Sequence, residues 1–190
     1  MTPSASGLVA VISGPSGVGK TTVISRLLER PGFARSITAT TREPREGETE
    51  GVDYMFLDRM TFEGDVADGR FLEYAVVHGN MYGTPRNAVE EVLARGDICL
   101  LNIDVQGAEA LRTSGLSVAT VFLLPPSMEE LERRLGRRGT EDPDEMERRL
   151  GIARREMAEA DRFDLKVENR DVAETVATIE AFLASMRRSG

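Results

Sequence analysis

The run Gly14-Pro15-Ser16-Gly17-Val18-Gly19-Lys20-Thr21 follows directly on the apolar stretch Leu8-Val9-Ala10-Val11-Ile12 and matches G-x-x-x-x-G-K-[ST]. No other feature constrains the fold as much, because it predicts a buried strand, a tight glycine-bearing loop and a helix in that order. The glycines let the backbone curl so that successive N–H groups point inward at phosphate oxygens. Lys20 adds a compact charge where the β and γ phosphates of a nucleoside triphosphate would lie, and Thr21 would offer its hydroxyl to a magnesium ion. Thr22-Val23-Ile24-Ser25-Arg26-Leu27-Leu28 continues with helical apolar spacing and stops near Pro31-Gly32, so a chance turn ahead of a helix is a poor account of the pattern.

With 190 residues and 20.8 kDa the chain can bury one substantial core, and one chain-length domain is expected, with room for inserted lobes. A formal charge of -8 and a pI near 4.9 argue against a protein whose main task is gripping a nucleic-acid backbone. Small anions need only local cations, and these are nearly all arginine, since Lys20 and Lys166 are the only lysines. A lysine in the phosphate loop of so arginine-rich a chain suits a compact charge on a flexible stem. The arginine excess itself reads as compositional drift. No apolar run approaches the roughly 18 residues of a membrane span, and the start Met1-Thr2-Pro3-Ser4-Ala5-Ser6 lacks a basic segment followed by a long apolar one. A cytoplasmic protein without membrane or nucleic-acid partners is expected. Cys99 stands alone in Ile98-Cys99-Leu100-Leu101 and reads as a buried structural thiol, not a nucleophile. His78, the only histidine, excludes a multi-histidine metal site and reads as a loop or strand-end residue.

Along the chain, strand-like segments alternate with helix-like ones. Strands are predicted over 8–13, 98–103, 118–124 and 165–168, and helices after Lys20 and over 105–112, 128–135, about 143–160 and about 172–186. This alternation specifies an α/β protein, a parallel sheet covered by helices. Ser127 ahead of Glu129 and Glu130 reads as a helix cap, and Pro85 as a first helical position. Two stretches break the pattern. Residues from about 36 to 84, with short alternating strands near 53–57 and 71–75, read as a small α+β insertion. Arg137-Arg138-Gly139-Thr140-Glu141-Asp142-Pro143-Asp144 reads as a mobile flap between two helices.

Three constellations carry chemistry. In Thr38-Ala39-Thr40-Thr41-Arg42-Glu43-Pro44-Arg45-Glu46-Gly47-Glu48, two arginines flank a proline that disfavours helix, so guanidinium forks could wrap one phosphate. A solvated loop with incidental charges accounts for the same residues equally well. Phe71-Leu72-Glu73-Tyr74 sets one carboxylate in an apolar strand, either as a salt-bridge partner or as a selective acceptor. Its two oxygens match the adjacent N1–H and N2–H donors of guanine, a pair that adenine lacks. Gly79-Asn80-Met81-Tyr82-Gly83-Thr84 then reads as a glycine-flexed loop offering a phenol and a hydroxyl. Asp104, at the carboxyl end of the strand Leu100-Leu101-Asn102-Ile103, is placed to hold magnesium or its water, to touch an acceptor nucleotide, or simply to cap the next helix.

Over nearly its whole length the chain resembles the guanylate kinases, relatives of adenylate kinase that move phosphate from ATP to GMP. The resemblance rests on Gly14 to Thr22, on Thr40 to Glu48 followed by Gly51-Val52-Asp53-Tyr54, on Phe71-Leu72-Glu73 and on Gly79 to Thr84. It continues through Ile103-Asp104-Val105-Gln106-Gly107, Arg138-Gly139-Thr140 and Arg148-Arg149-Leu150. It implies a P-loop three-layer fold with a central parallel sheet. The core would span about 1–35, 85–125 and 160–190, with an inserted GMP-binding lobe at about 36–84 and a helical lid at about 126–159. It also implies that Gly14, Pro15, Ser16, Gly17, Val18, Gly19, Lys20, Thr21, Thr22 and Asn169 bind ATP, with Asn169 at the adenine ring. Arg42, Arg45, Tyr54 and Tyr82 would hold the GMP phosphate, with Glu48 orienting the arginines. Thr38, Glu73, Thr84 and Asp104 would read guanine. Lys20, Arg42, Arg138 and Arg149 would supply charge to the transferring phosphoryl group, with Mg2+ held by Thr21 and, through water, Asp104. Asn102 stands where family members often carry an acidic residue, which shifts work to Asp104, and the arginines of Gly136-Arg137-Arg138 are arranged differently from the usual flap.

The expected activity is therefore phosphoryl transfer from ATP to GMP and dGMP. Three other readings use the same fold: a kinase for a sugar bisphosphate, a phosphopeptide-binding scaffold without activity, and a regulatory nucleotide sensor. The Thr38, Glu73 and Tyr82 set weighs against the first. Intact Lys20 and Thr21 weigh against the second, and slow turnover with tight GMP retention would mark the third.

Overall fold

The computed structural model describes residues 7–77, 79–136 and 143–189. Its centre is strand β1 (Leu8–Ser13), buried at every position. Strands β2 (Phe33–Arg35), β7 (Ile98–Asn102), β8 (Val118–Leu124) and β9 (Leu165–Glu168) complete a five-stranded sheet in the order β2-β7-β1-β8-β9, every pair parallel. A parallel sheet of this kind is covered on both faces, which is why β1 reads as a continuous apolar run instead of an alternating one.

Successive β1 side chains feed opposite cores. Leu8, Ala10 and Ile12 pack with Val23 and Leu27 of α1 (Lys20–Leu28) and Ile179 and Leu183 of α7 (Val172–Ser189). Val9 and Val11 pack with Val89, Val92 and Leu93 of α3 (Arg86–Ala94) and Ala108 and Leu111 of α4 (Val105–Arg112). Helix, sheet and helix thus form three layers. Cys99 is fully buried in the second core, and desolvation pushes its thiol up to about 11, as expected of a structural cysteine.

A second, mixed sheet in the order β4-β3-β6-β5 is built from β3 (Thr38–Thr40), β4 (Tyr54–Phe56), β5 (Phe71–Val77) and β6 (Asn80–Pro85). Helix α2 (Arg59–Ala67) closes its outer face. Ala39, Phe62 and Met81 form a core of its own, with Phe62 and Phe71 stacked at 4.5 Å between centroids. This helix is the α element of the insertion that sequence patterning left unplaced. Its signals are Asp58, whose carboxylate accepts from Thr61 N at 2.7 Å, and the i, i+4 pair Phe62 and Val66.

Three expectations are corrected. Gly79 does turn, at φ +81, but residues 80–84 are not a flexed loop: β6 occupies Asn80–Pro85, because pairing with β3 and β5 on both edges overrides a turn-like composition. Gly83 is needed there for space, since a Cβ would lie 2.9 Å from Phe71 and 3.0 Å from Phe62. Gly83→Ala is expected to destabilise the fold by about 1–3 kcal/mol and lower the thermal midpoint by ~2–10 °C, measurable by calorimetry. Pro85 is extended (φ -63, ψ 131) and precedes the helix, which starts at Arg86. The long helix, α6 (Pro143–Ala158), stops short of Ala160 and gives way to a 3-10 turn, Ala160–Arg162.

Helix α5 (Met128–Gly136) begins beyond β8, its Glu130 N–H capped by Ser127 Oγ at 3.2 Å. It packs on α6 through Leu131, Leu135, Leu150 and Ala153.

Candidate active site

The phosphate loop leaves β1 at the carboxyl edge of the parallel sheet, the edge where open α/β sheets bind ligands. Gly14 has φ +140, and a Cβ there would sit 2.5 Å from the Leu123 carbonyl oxygen, so no other residue fits this departure. Lys20 Nζ donates to the carbonyls of Gly14 at 2.5 Å and Pro15 at 3.0 Å, which fixes the ammonium at the loop's mouth. Thr21 and Thr22 open α1, both exposed. From α6, Arg149 Nη2 reaches back to Ser16 Oγ at 3.0 Å and ties that helix to the loop.

A cleft of about 400 Å³ lies between α1, the helix that follows this loop, and the second sheet. Its lining includes Thr21 on one wall and Thr38, Tyr54, Glu73, Tyr82 and Thr84 on the other, with Asp104 between. Residues predicted from six separate stretches of sequence therefore converge on one space. Arg35, Ser36, Asp53 and Asn102 line it too, without having been singled out as ligands.

Glu73 is 8 % exposed and faces Thr84, whose Oγ1 donates to Glu73 Oε1 at 2.5 Å. A register shift between Phe71 and Glu73 brings these two opposite one another: Phe71 pairs with Pro85, but Glu73 with Thr84, so β5 carries one extra residue. Desolvation raises the Glu73 pKa above its ordinary value, the Thr84 hydrogen bond partly offsets this, and the nearby charge of Asp104 adds to it. Asp104 caps α4, accepting from Gly107 N at 2.8 Å.

The arginine-bearing segment lies at the rim. Arg42 Nη2 donates to both Glu48 oxygens, at 2.8 and 2.9 Å, and Glu48 also accepts from Arg45 N at 2.8 Å. Arg42 Cζ sits 5.3 Å from the centre of the Tyr54 ring, which in turn lies edge-on to Tyr82 at 6.3 Å, so Arg42 joins the cleft through its aromatic lining. Arg45 is exposed.

Asn169 is buried, and its side-chain amide is engaged with Val18 O at 2.8 Å and Thr175 Oγ1 at 3.0 Å. Arg137, Arg138, Thr140 and His78 lie outside the described residues. One further group was missed in the sequence: Glu156, half-buried on α6, whose pKa is raised by desolvation while Lys20 lowers it and Asp104 raises it. Its position seven residues, or two turns, after Arg149 on one helix was the available signal.

The three-layer fold, with a phosphate loop at the carboxyl edge of its parallel sheet and a second sheet across the cleft, is that of a P-loop nucleotide kinase. The guanylate kinase family model matches residues 7–186. A guanylate kinase of Thermus thermophilus is 48 % identical over 185 residues, covering 97 % of this chain and 84 % of its own. That of Symbiobacterium thermophilum is 45 % identical over 178 residues, covering 93 % and 84 %. The crystal structure of guanylate kinase from Anaplasma phagocytophilum superposes with a TM-score of 0.75 at 36 % identity, covering 95 % of this chain and 86 % of that one. The chain belongs to the guanylate kinase family.

Proposed function

We infer that the protein transfers the γ-phosphoryl group of ATP to GMP, giving ADP and GDP. The observation that carries this reading is the sharing of one cleft by Thr21 of the phosphate loop and the buried pair Glu73 and Thr84. A carboxylate in an otherwise apolar strand is an acceptor for the two adjacent N–H donors of guanine, and adenine would leave it unpaired. The core, acceptor lobe and lid are taken as parts of one domain over 1–190. The groups assigned to the acceptor take its base and phosphate and not its sugar, so dGMP is included as an acceptor.

In this reading the phosphate loop and Lys20 hold the ATP phosphates, and Asn169, whose amide also holds Val18 O of the loop, lies at the adenine ring. Thr38, Glu73, Thr84 and Asp104 hold guanine, and Arg42, Arg45, Tyr54 and Tyr82 hold the GMP phosphate, with Glu48 fixing the arginines. The GMP phosphate oxygen attacks in line as the bond from γ-phosphorus to the bridging oxygen breaks and ADP departs. That oxygen needs no strong base, so positioning and charge neutralisation do the work. Arg149 and Arg138 are assigned to the charge on the transferring group.

Among the described residues no group of three or more His, Cys, Asp or Glu is placed to hold a metal ion. A hydroxyl and a carboxylate such as Thr21 and Asp104 suit Mg2+, which keeps much of its water and binds through one or two protein groups plus substrate phosphates. Thr21 and, through water, Asp104 would face it, and the ion would neutralise phosphate charge. Among the described residues no helix is long and apolar enough to cross a membrane. A cytoplasmic location, with nucleotides as small-molecule partners and no nucleic acid, fits the acidic charge and the single cysteine.

ADP release from Mg-ATP, measured with GMP, dGMP, AMP, UMP, CMP or no acceptor, tests the reading. Rates with GMP and dGMP should exceed the rest by orders of magnitude, and equal rates with AMP would refute it. The raised Glu73 pKa adds a pH signature. The ionised carboxylate accepts from guanine, so KM for GMP should rise as pH falls through this pKa, which lies above the ordinary glutamate value. Stability runs the other way, because a raised folded-state pKa stabilises below the unfolded pKa and the benefit is lost as pH rises through the folded one. Steady-state KM against pH, beside thermal midpoints, reads both.

A further inference from the structure

The outer side of the phosphate loop is braced as deliberately as its inner side. Val18 O accepts Asn169 Nδ2 at 2.8 Å and Arg134 Nη1 at 3.1 Å, two side chains that do not line the cleft. Arg134 also donates from Nη2 to Asn169 O at 3.2 Å and from Nε to Glu130 at 2.7 Å. Asn169 is set in turn: its backbone N–H donates to Leu124 O at 2.8 Å, and its Oδ1 accepts from Thr175 Oγ1 at 3.0 Å. Asn169 and Thr175 are 3 % and 2 % exposed. The approach is close enough that a Cβ on Gly19, at φ +106, would lie 2.5 Å from Asn169 Nδ2.

In a trans peptide the C=O of one residue and the N–H of the next point in opposite directions. Holding Val18 C=O outward therefore aims Gly19 N–H inward, toward the space where phosphate oxygens sit. We propose that Asn169, oriented by Thr175, is a positioning residue for phosphoryl transfer: it fixes the Val18–Gly19 peptide plane so that Gly19 N–H is aimed before nucleotide arrives. The proposal rests on the kinase reading above. It gives Thr175, a residue of α7 that lines no part of the cleft, a share in turnover. A donor aimed in advance matters most when charge on the phosphoryl group is redistributed, so the effect falls on kcat more than on acceptor binding.

Thr175→Val and Thr175→Ala remove the hydroxyl in two steric ways, and Thr175→Ser keeps it. Each is assayed for kcat, for KM with GMP, and for thermal midpoint, below the midpoint of the least stable variant. The expected result is a kcat lowered about tenfold in both Val and Ala variants, KM for GMP unchanged within twofold, and recovery to within twofold of wild type in Thr175→Ser. Asn169→Ala should lower kcat by about a hundredfold. The proposal is overturned if either hydroxyl-free variant that folds keeps wild-type kcat, or if Thr175→Ser falls as far as they do. Failure of the unaltered protein to phosphorylate GMP would instead overturn the kinase reading, so the two failures are distinct.

Discussion

Lys20→Ala is expected to lower kcat by about two to three orders of magnitude, roughly 3–4 kcal/mol of barrier, while KM for GMP moves only a few-fold. The side chain is anchored by the Gly14 and Pro15 carbonyls at the mouth of the loop, so its charge sits at a fixed point before any nucleotide binds. A fixed cation stabilises negative charge as it shifts between donor and acceptor oxygens without reorganising at that moment. The helix it opens is held by Val23 and Leu27, which the substitution leaves in place, so the thermal midpoint should change little. Steady-state ADP release as a function of GMP concentration separates the two constants. A kcat within tenfold of the unaltered protein would remove Lys20 from the chemistry.

Glu73→Gln acts on the opposite wall. A carboxamide keeps the size of the side chain but replaces one acceptor oxygen with an NH2 donor, which then confronts a donor on guanine. Loss of a charge-assisted hydrogen bond together with one unsatisfied buried donor amounts to about 3–4 kcal/mol, so kcat/KM for GMP should fall by two to three orders of magnitude. The rate with AMP has no such contact to lose, and the GMP:AMP ratio should collapse accordingly. Competition between the two acceptors measures that ratio directly, and an unchanged ratio would mean that Glu73 does not read the base. The pH dependence of KM described above should vanish in the same variant, since glutamine does not titrate.

How far each feature was legible depended on the range over which it is determined. The phosphate loop, β1 and α1 were readable because strand, turn and helix follow one another within about twenty residues and each is set by local spacing. The Asp104 cap was readable for the same reason. Glu73 could be recognised as an unusual carboxylate, but its partnership with Thr84 depends on a register shift within the β5–β6 pair, which no local pattern encodes. Residues 80–84 look like a loop because glycine and asparagine favour turns, yet pairing on both edges makes them a strand, and Gly83 serves to clear two phenylalanine rings. The engagement of Asn169 with Val18 spans 151 residues of chain and was invisible before the fold brought them together. Glu156 was overlooked because a glutamate among the charges of α6 looks like one more solvated residue.

The lobe built around Ala39, Phe62 and Met81 closes an interior of its own, separate from the two clusters that flank β1. Substitutions that reshape the acceptor wall therefore need not be accommodated by the sheet that carries the phosphate loop. Of the residues assigned to the acceptor, those on β3, β4, β5 and β6 ride on this separately closed lobe, while Asp104 caps α4 of the main core. Changes confined to Ala39, Phe62 or Met81 therefore fall on the second sheet and not on the strands that carry the phosphate loop.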